Sequence, residues 1–340
     1  MGAAGALTML DGGSLAAPAP RRAGDARRQL TRKVFSTPLV DTHEHLLEEA
    51  GRMPGSGHPR VSADDWTFVL SHYLNSDLVS AGMPRQDIGR FFSSQLDPLE
   101  KWPLLAPYWP AVKHTGYGQA VRITLYELYG VPDLSDKTIE KVAEGYGRAR
   151  RPGFYRDILS DRAQLASCQV NSLEGPPFMR SRQPTLLMQD IAIAGMIGAS
   201  NIERYRRPTG IELSELSDWH RVIDWWFETF GRYAVAAKST NAYARDINYA
   251  RVPAETAAPI FRRRLAGEAT TREDKKALED HLFWYAVDRA TRAGLPVKLH
   301  TGYYAGNNGM PLARVRDNPA SACELCRAAP DTRFVFMHIG

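Results

Sequence analysis

The sequence predicts an α/β chain built on parallel strands whose C-terminal ends open on one face, and three observations carry that prediction. After Pro152, short apolar runs alternate with helical stretches, the rhythm of a parallel sheet. Four of the nine histidines, His43, His45, His300 and His338, fall at the ends of such runs. Before this pattern, a long helical stretch separates the first run from the second, which makes it an insertion rather than a connection.

Residues 36–41 read as the first strand, with His43 and His45 at its C-terminal end. Residues i and i+2 of a strand point to one side, so the two imidazoles face one space, as two ligands of a single metal ion must. A chance pair beside a turn is the competing reading. Gly, Pro and Ser mark residues 51–60 as a loop, and the helical insertion occupies about 61–160. Trp66, Val69, Leu70, Tyr73 and Leu74 fall at helical spacing, as do Leu125, Leu128 and Tyr129, so its aromatics read mainly as core. Part of it is expected to cap the C-terminal end of the first strand, where both its ends must lie.

Residues 165–170 and 186–193 are the second and third strands. A helix opening at Ser217 puts Trp219, Val222, Ile223, Trp226 and Phe230 on one face, and Gly231 is expected to end it as a left-handed cap. Residues 233–238 form a nearly continuous apolar strand that ends on Lys238. Thr271-x-x-Asp274 starts the next helix, with Leu278, Leu282, Tyr285, Ala286 and Ala290 inward and Gly294 and Pro296 as terminators. Residues 297–300 make the fifth strand. Asn318 and Pro319 read as N-cap and first residue of the last helix, which leads to a sixth strand at 333–338.

At 340 residues, with 44% hydrophobic and 10% aromatic content, the composition is that of a globular protein without a membrane span. The formal charge of +5 is concentrated in residues 1–33, where six Lys/Arg face Asp11 and Asp25; the remainder carries +1. Residues 1–33 therefore read as a disordered basic arm, and the folded part is not a nucleic-acid binder. Arg21-Arg22 lacks the apolar core of an export signal after it. Three cysteines suit a reducing, cytoplasmic setting, and Cys323 and Cys326 read as core or half-buried thiols of the last helix.

The pieces Val40-Asp41-Thr42-His43-Glu44-His45, Lys238 to Arg245, Pro296 to Gly302 and Phe336 to Gly340 occur in an order that resembles the amidohydrolase superfamily, in particular its amidohydrolase-related (family 2) branch. The run from Ser71 to Asp77 is similar to uronate isomerases, a sister branch. The resemblance implies a (β/α)₈ barrel of the TIM type and a divalent metal, zinc first. His43 and His45 would hold the ion, with His300 and His338 completing the site or holding a second one. Lys238 would either bridge two ions as a carbamate or stay a cationic substrate anchor. Lys238 and His338 are the catalytic candidates. Tyr243 and Arg245 would bind a substrate carboxylate, or else form a packing pair at a helix start.

The implied activity is metal-dependent hydrolysis of a small, carboxylated molecule, with uronate isomerisation or non-oxidative decarboxylation as alternatives on the same scaffold. A homo-oligomer is left open, and no nucleic acid or membrane partner is implied. The family's general base is an aspartate at the end of an eighth strand. Only strands one to six are present here, so a truncated gene product is expected, and an inactive fragment or pseudo-enzyme stands as the non-enzymatic reading. Asp41 and Asp190 are the internal carboxylates that could replace the base.

Overall fold

The computed structural model describes residues 23–59, 61, 63–71, 73–302 and 310–338. The chain forms two units, 1–39 and 40–340. In the first, Ala23–Phe35 is helix α1, where composition predicted a disordered arm. Eight of its thirteen residues are Ala, Arg, Lys, Gln or Leu, good helix formers, and Arg28 pairs with Asp25 one turn away. The rest of the expected arm, residues 1–22, lies outside the described residues.

The sheet has six parallel strands in sequence order, curled into a half-barrel: β1 (Leu39–Glu44), β2 (Leu165–Val170), β3 (Leu187–Ala192), β4 (Ala234–Ser239), β5 (Val297–His300) and β6 (Phe334–Met337). Five of these lie within about a residue of their predicted places. The first begins three residues late, so that His43 is inside the strand and only His45 follows it. The cause is local: Thr37 folds back on α1, its hydroxyl donating to the Lys33 carbonyl at 2.6 Å and its N–H to Val34 at 3.3 Å. Pro38 follows, and extended backbone starts only beyond it.

Register decides what faces what. Ala192 pairs with Lys238, Lys238 with Lys298, and His300 with Met337. Two lysines therefore stand opposite each other on adjacent strands, an arrangement that is unfavourable unless an acid joins them.

Outside the strands lie α4 (Leu216–Phe230), α5 (Ala254–Leu265), α6 (Arg272–Arg292) and α7 (Ala313–Ala328); the insertion contributes α2 (Gly116–Tyr129) and α3 (Ile139–Ala149). Helix α6 starts on the expected capping box, with Asp274 N–H donating to Thr271 Oγ1 at 3.0 Å and Thr271 N–H to Asp274 Oδ2 at 3.1 Å. Trp219, Val222 and Ile223 of α4 pack with Leu282, Phe283 and Val287 of α6 in one core. Each such side chain, removed from water, contributes roughly 1.5–3 kcal/mol.

Three local expectations are corrected. Gly231 is right-handed, φ −54°, and its use is close packing: a Cβ there would meet that of Ala293 at 3.4 Å. Helix α7 begins before Asn318, which is buried within it, and Pro319 lies inside. The Asn318 amide donates to the Arg314 carbonyl and accepts from the Gly302 N–H at 2.9 Å, so its side chain ties α7 to the end of β5 instead of capping. Cys323 and Cys326 are exposed, because α7 turns Asn318 and Leu325 inward and the two thiols flank that stripe on the outer side.

The insertion has a separate core around Trp66, Leu70, Leu78, Phe91, Leu105 and Leu125. Gly118 allows α2 to start there, since a Cβ would lie 2.0 Å from the Val112 carbonyl. Its far end returns to the loop after β1: the Glu49 carboxylate accepts from Gly153 N–H at 2.6 Å and Tyr155 N–H at 3.2 Å, and the Tyr155 hydroxyl donates to the Leu47 carbonyl at 3.0 Å. Among the described residues, no helix is long and apolar enough to cross a membrane.

Candidate functional site

The C-terminal ends of β1, β4, β5 and β6 bring four histidines and a lysine together. His43 Nε2 lies 3.2 Å from His45 Nε2. The rings of His43 and His338 are 4.6 Å apart, and those of His338 and His300 4.4 Å. Tyr243, the last residue of the turn Asn241–Tyr243 that follows β4, sets its ring 4.0 Å from that of His300. His338 holds this place with φ +69°, a left-handed conformation that costs a non-glycine residue on the order of 1 kcal/mol or more. Thr301 fixes the same corner by donating from its hydroxyl and its N–H to the Met337 carbonyl.

Lys238 Nζ is 3.1 Å from His43 Nδ1, with Met337 Sδ 3.2 Å from the same nitrogen. Lys238 and Lys298 are each 2% exposed. Lys298 is fully engaged: it donates to both oxygens of Asp190 at 3.0 Å and to the Thr42 carbonyl at 3.1 Å. The hydrogen bonds of Asp190 thus go to one of the two buried lysines. Lys238 has His43 where Lys298 has a carboxylate.

Burial moves the ionisable groups toward their neutral forms. It lowers His43 to about 3, with the charge of Lys238 adding to the effect. His300 falls to about 3 through burial and then its neighbours His338 and Lys238, and His338 is lowered for the same two reasons, burial and Lys238. Lys238 drops to about 8, chiefly by burial, although Asp190 opposes the shift. The Asp190 carboxyl is pushed up to about 6 by burial while Lys298 holds it down. At neutral pH His43, His300 and His338 are therefore neutral, the form in which nitrogen binds a metal.

The donor set fits a divalent ion in part. Two nitrogens that share a tetrahedral ion at about 2.0–2.1 Å stand ~3.3 Å apart, close to the His43–His45 separation. Ligation through His43 Nε2 would place that ring's proton on Nδ1, where the Met337 sulfur can accept it and a Lys238 ammonium cannot, so the lysine would have to turn away from that nitrogen. Lys238 stands at the other edge of the ring from the Nε2 pair. Among the described residues, no three His, Cys, Asp or Glu side chains are set to close around an ion.

Of the other expected residues, Arg245 is not brought to the histidines. It reaches α6, donating to Glu279 at 3.0 Å and Asp280 at 2.6 Å. His72, in the run from Ser71 to Asp77, and residues 339–340 lie outside the described residues. Reading the sequence overlooked Lys298, although its signal was present: a lysine two residues before His300 in a four-residue strand must share the inward face.

No family model matches the chain, and no curated protein sequence does. Solved structures do. It is similar to a uronate isomerase from Thermotoga maritima, with a TM-score of 0.70 at 13% identity over 92% of this chain and 73% of that one. A glucuronate isomerase from Caulobacter crescentus gives 0.64 at 14% identity over 86% and 64%. A protein assigned as a metal-dependent hydrolase from Lactobacillus casei ATCC 334 gives 0.55 at 14% over 91% and 69%. The chain thus spans about two thirds to three quarters of the length of these proteins, and shares with them an α/β fold of the TIM-barrel type.

Proposed function

We propose that the strand-end histidines form the metal centre of an enzyme acting on a small carboxylated molecule, with hydrolysis as the reaction. The observation that carries the proposal is the pair of imidazoles, His43 and His45, whose Nε2 atoms stand at shared-ligand spacing beside the buried Lys238. His300 and His338 supply further nitrogens on the same face. When bound, the ion, zinc first, would acidify water and polarise a carbonyl.

The chain's own residues do the rest. Lys238 binds the substrate carboxylate, since it has an imidazole rather than a carboxylate for a partner and stands away from the Nε2 pair. Its placement favours this anchor over a carbamate ligand of the same ion. Tyr243, against His300, shields one wall from water, and His338 is positioned to hold a proton near the reacting atoms. Asp190 stays tied to Lys298 and keeps β1 in place through Thr42.

Uronate isomerisation is the second reading, favoured by the two isomerases among the structural neighbours. Equilibrium dialysis with zinc, followed by a panel of uronates and of amides and esters carrying a carboxylate, tests both. Expected are about one tightly held ion per chain, its loss in His43→Ala, and turnover of carboxylated compounds only. A chain that binds no zinc, or whose His43→Ala variant binds it equally well, overturns the proposal. Lys238→Met separates the two roles of the lysine: an anchor leaves zinc affinity intact and weakens substrate, whereas a carbamate ligand weakens zinc.

A further inference from the structure

Outside the histidine cluster, a cavity of about 310 Å³ lies between the segment following β4, the start of α6 and the start of α7. Six basic side chains line it against two acidic ones, Asp246 and Glu279. Three of the six are already neutralised or nearly so: Arg245 by Glu279 and Asp280, Lys276 by Asp280 at 2.5 Å, and Lys275 by Glu279 at 3.8 Å.

Of the other three guanidinium groups, Arg264 and Arg272 form no ion pair among the described residues, and Arg314 is paired only with the exposed Asp246 at 3.6 Å. Arg314 is half-buried and donates to the carbonyls of Tyr243 at 3.2 Å and Ala244 at 3.0 Å. Arg264, also half-buried, spends its Nε on the Ala199 carbonyl at 3.0 Å. Arg272 makes no hydrogen bond or ion pair among the described residues. A carbonyl accepts a hydrogen bond but cancels no charge, so a partly desolvated guanidinium held by carbonyls keeps an electrostatic demand.

These three come from α5, α6 and α7, and the fold alone assembles them. A solvated basic face would be the simpler explanation if they lay on one helix, but they line one concavity. Its size suits an anion of metabolite dimensions rather than a macromolecule. The guanidinium fork matches phosphate or carboxylate oxygens two at a time.

We infer that this cavity is an accessory site for a small polyanion, a phosphorylated or multiply carboxylated metabolite, gripped by Arg264, Arg272 and Arg314. The site is independent of the proposed metal centre. It shares a wall with it all the same, because the segment that carries the Arg314 contacts also carries Tyr243 against His300.

The test is calorimetric titration of the full chain, at constant ionic strength, with inorganic phosphate, pyrophosphate and citrate. Saturable one-to-one binding of at least one polyanion is expected, tighter for pyrophosphate or citrate than for phosphate. Arg272→Glu should weaken it tenfold or more without moving the melting temperature, since that side chain is exposed; Arg264→Gln should weaken it too. Arg148→Glu, an exposed charge on α3, and His43→Ala should leave it unchanged. Binding that does not saturate, equal loss in Arg148→Glu, or abolition by His43→Ala overturns the inference, the last by showing that the anion sits at the metal centre.

Discussion

Two buried lysines, one in the insertion and one in the half-barrel, show how differently the two regions use polar groups. Lys101 of the insertion is fully buried and pairs with Asp65, which also caps the turn Trp66–Leu70 by accepting from Thr67 N–H at 2.9 Å. Nearby, Trp109 Nε1 donates to Asp133 at 2.8 Å and Trp66 Nε1 to the Pro98 carbonyl at 2.7 Å. Each of these groups has its partner within the insertion itself, 24 to 36 residues away. In the half-barrel, Lys298 reaches 108 residues to Asp190, and Lys238 has an imidazole in place of an acid. The insertion hides its charges by pairing them; the strand ends keep one cation and several neutral nitrogens facing a shared space. That contrast is why the proposed chemistry is assigned to the second region.

The largest effect should come from breaking the half-barrel pair. Asp190→Asn leaves Lys298 buried without a counter-charge and should cost about 3–5 kcal/mol in chemical denaturation, while Asp190→Leu with Lys298→Met should recover most of it. Equal losses in the single and double variants would mean that the pair is not the unit.

Acid sensitivity should also sit in the half-barrel. His220 of α4, its Nε2 2.9 Å from His281 Nε2 and its ring stacked on Tyr285, is lowered to about 4 by burial first and His281 second. The unfolded chain then binds the proton more readily, so the stabilising contribution is complete above about pH 6.5 and is lost as pH falls toward 4. His220→Phe should therefore narrow the stability gap between pH 7 and pH 4.5 by on the order of 1–3 kcal/mol relative to the parent chain. An unchanged gap would assign the acid loss elsewhere.

Trp109→Phe in the insertion removes one hydrogen bond to Asp133 and should cost about 1 kcal/mol, with zinc binding untouched. A change in zinc affinity would contradict the division of labour between the regions. The smallest effect is expected on α7, where Cys323→Ser and Cys326→Ser, both exposed, should each change stability by less than about 0.5 kcal/mol.

What the sequence made legible follows the same division. The strands of a parallel sheet are short and apolar, so a histidine or lysine that ends one stands out, and His43, Lys238, His300 and His338 could be ordered before any coordinates. The Lys298–Asp190 pair could not, because its partners lie on different strands and only the register brings them together. Arg245 was legible as a residue but not as a direction, since nothing in the spacing says that it turns to α6 and away from the histidines. The late start of β1 depended on Thr37 bonding back to α1, and the exposure of the two thiols on which stripe of α7 packs inward.

The contact between His43 and Met337 spans 294 residues. Closing so long a loop comes late in folding, after local structure such as the insertion has formed, because its entropy must be met before the contact gives anything back. Nascent chains still short of β6 lack this edge of the histidine cluster. On the proposed metal centre, capture of an ion by His43 in its final surroundings would be one of the last events in folding, and the rate at which added zinc becomes protected from a chelator during refolding would time the docking of β6.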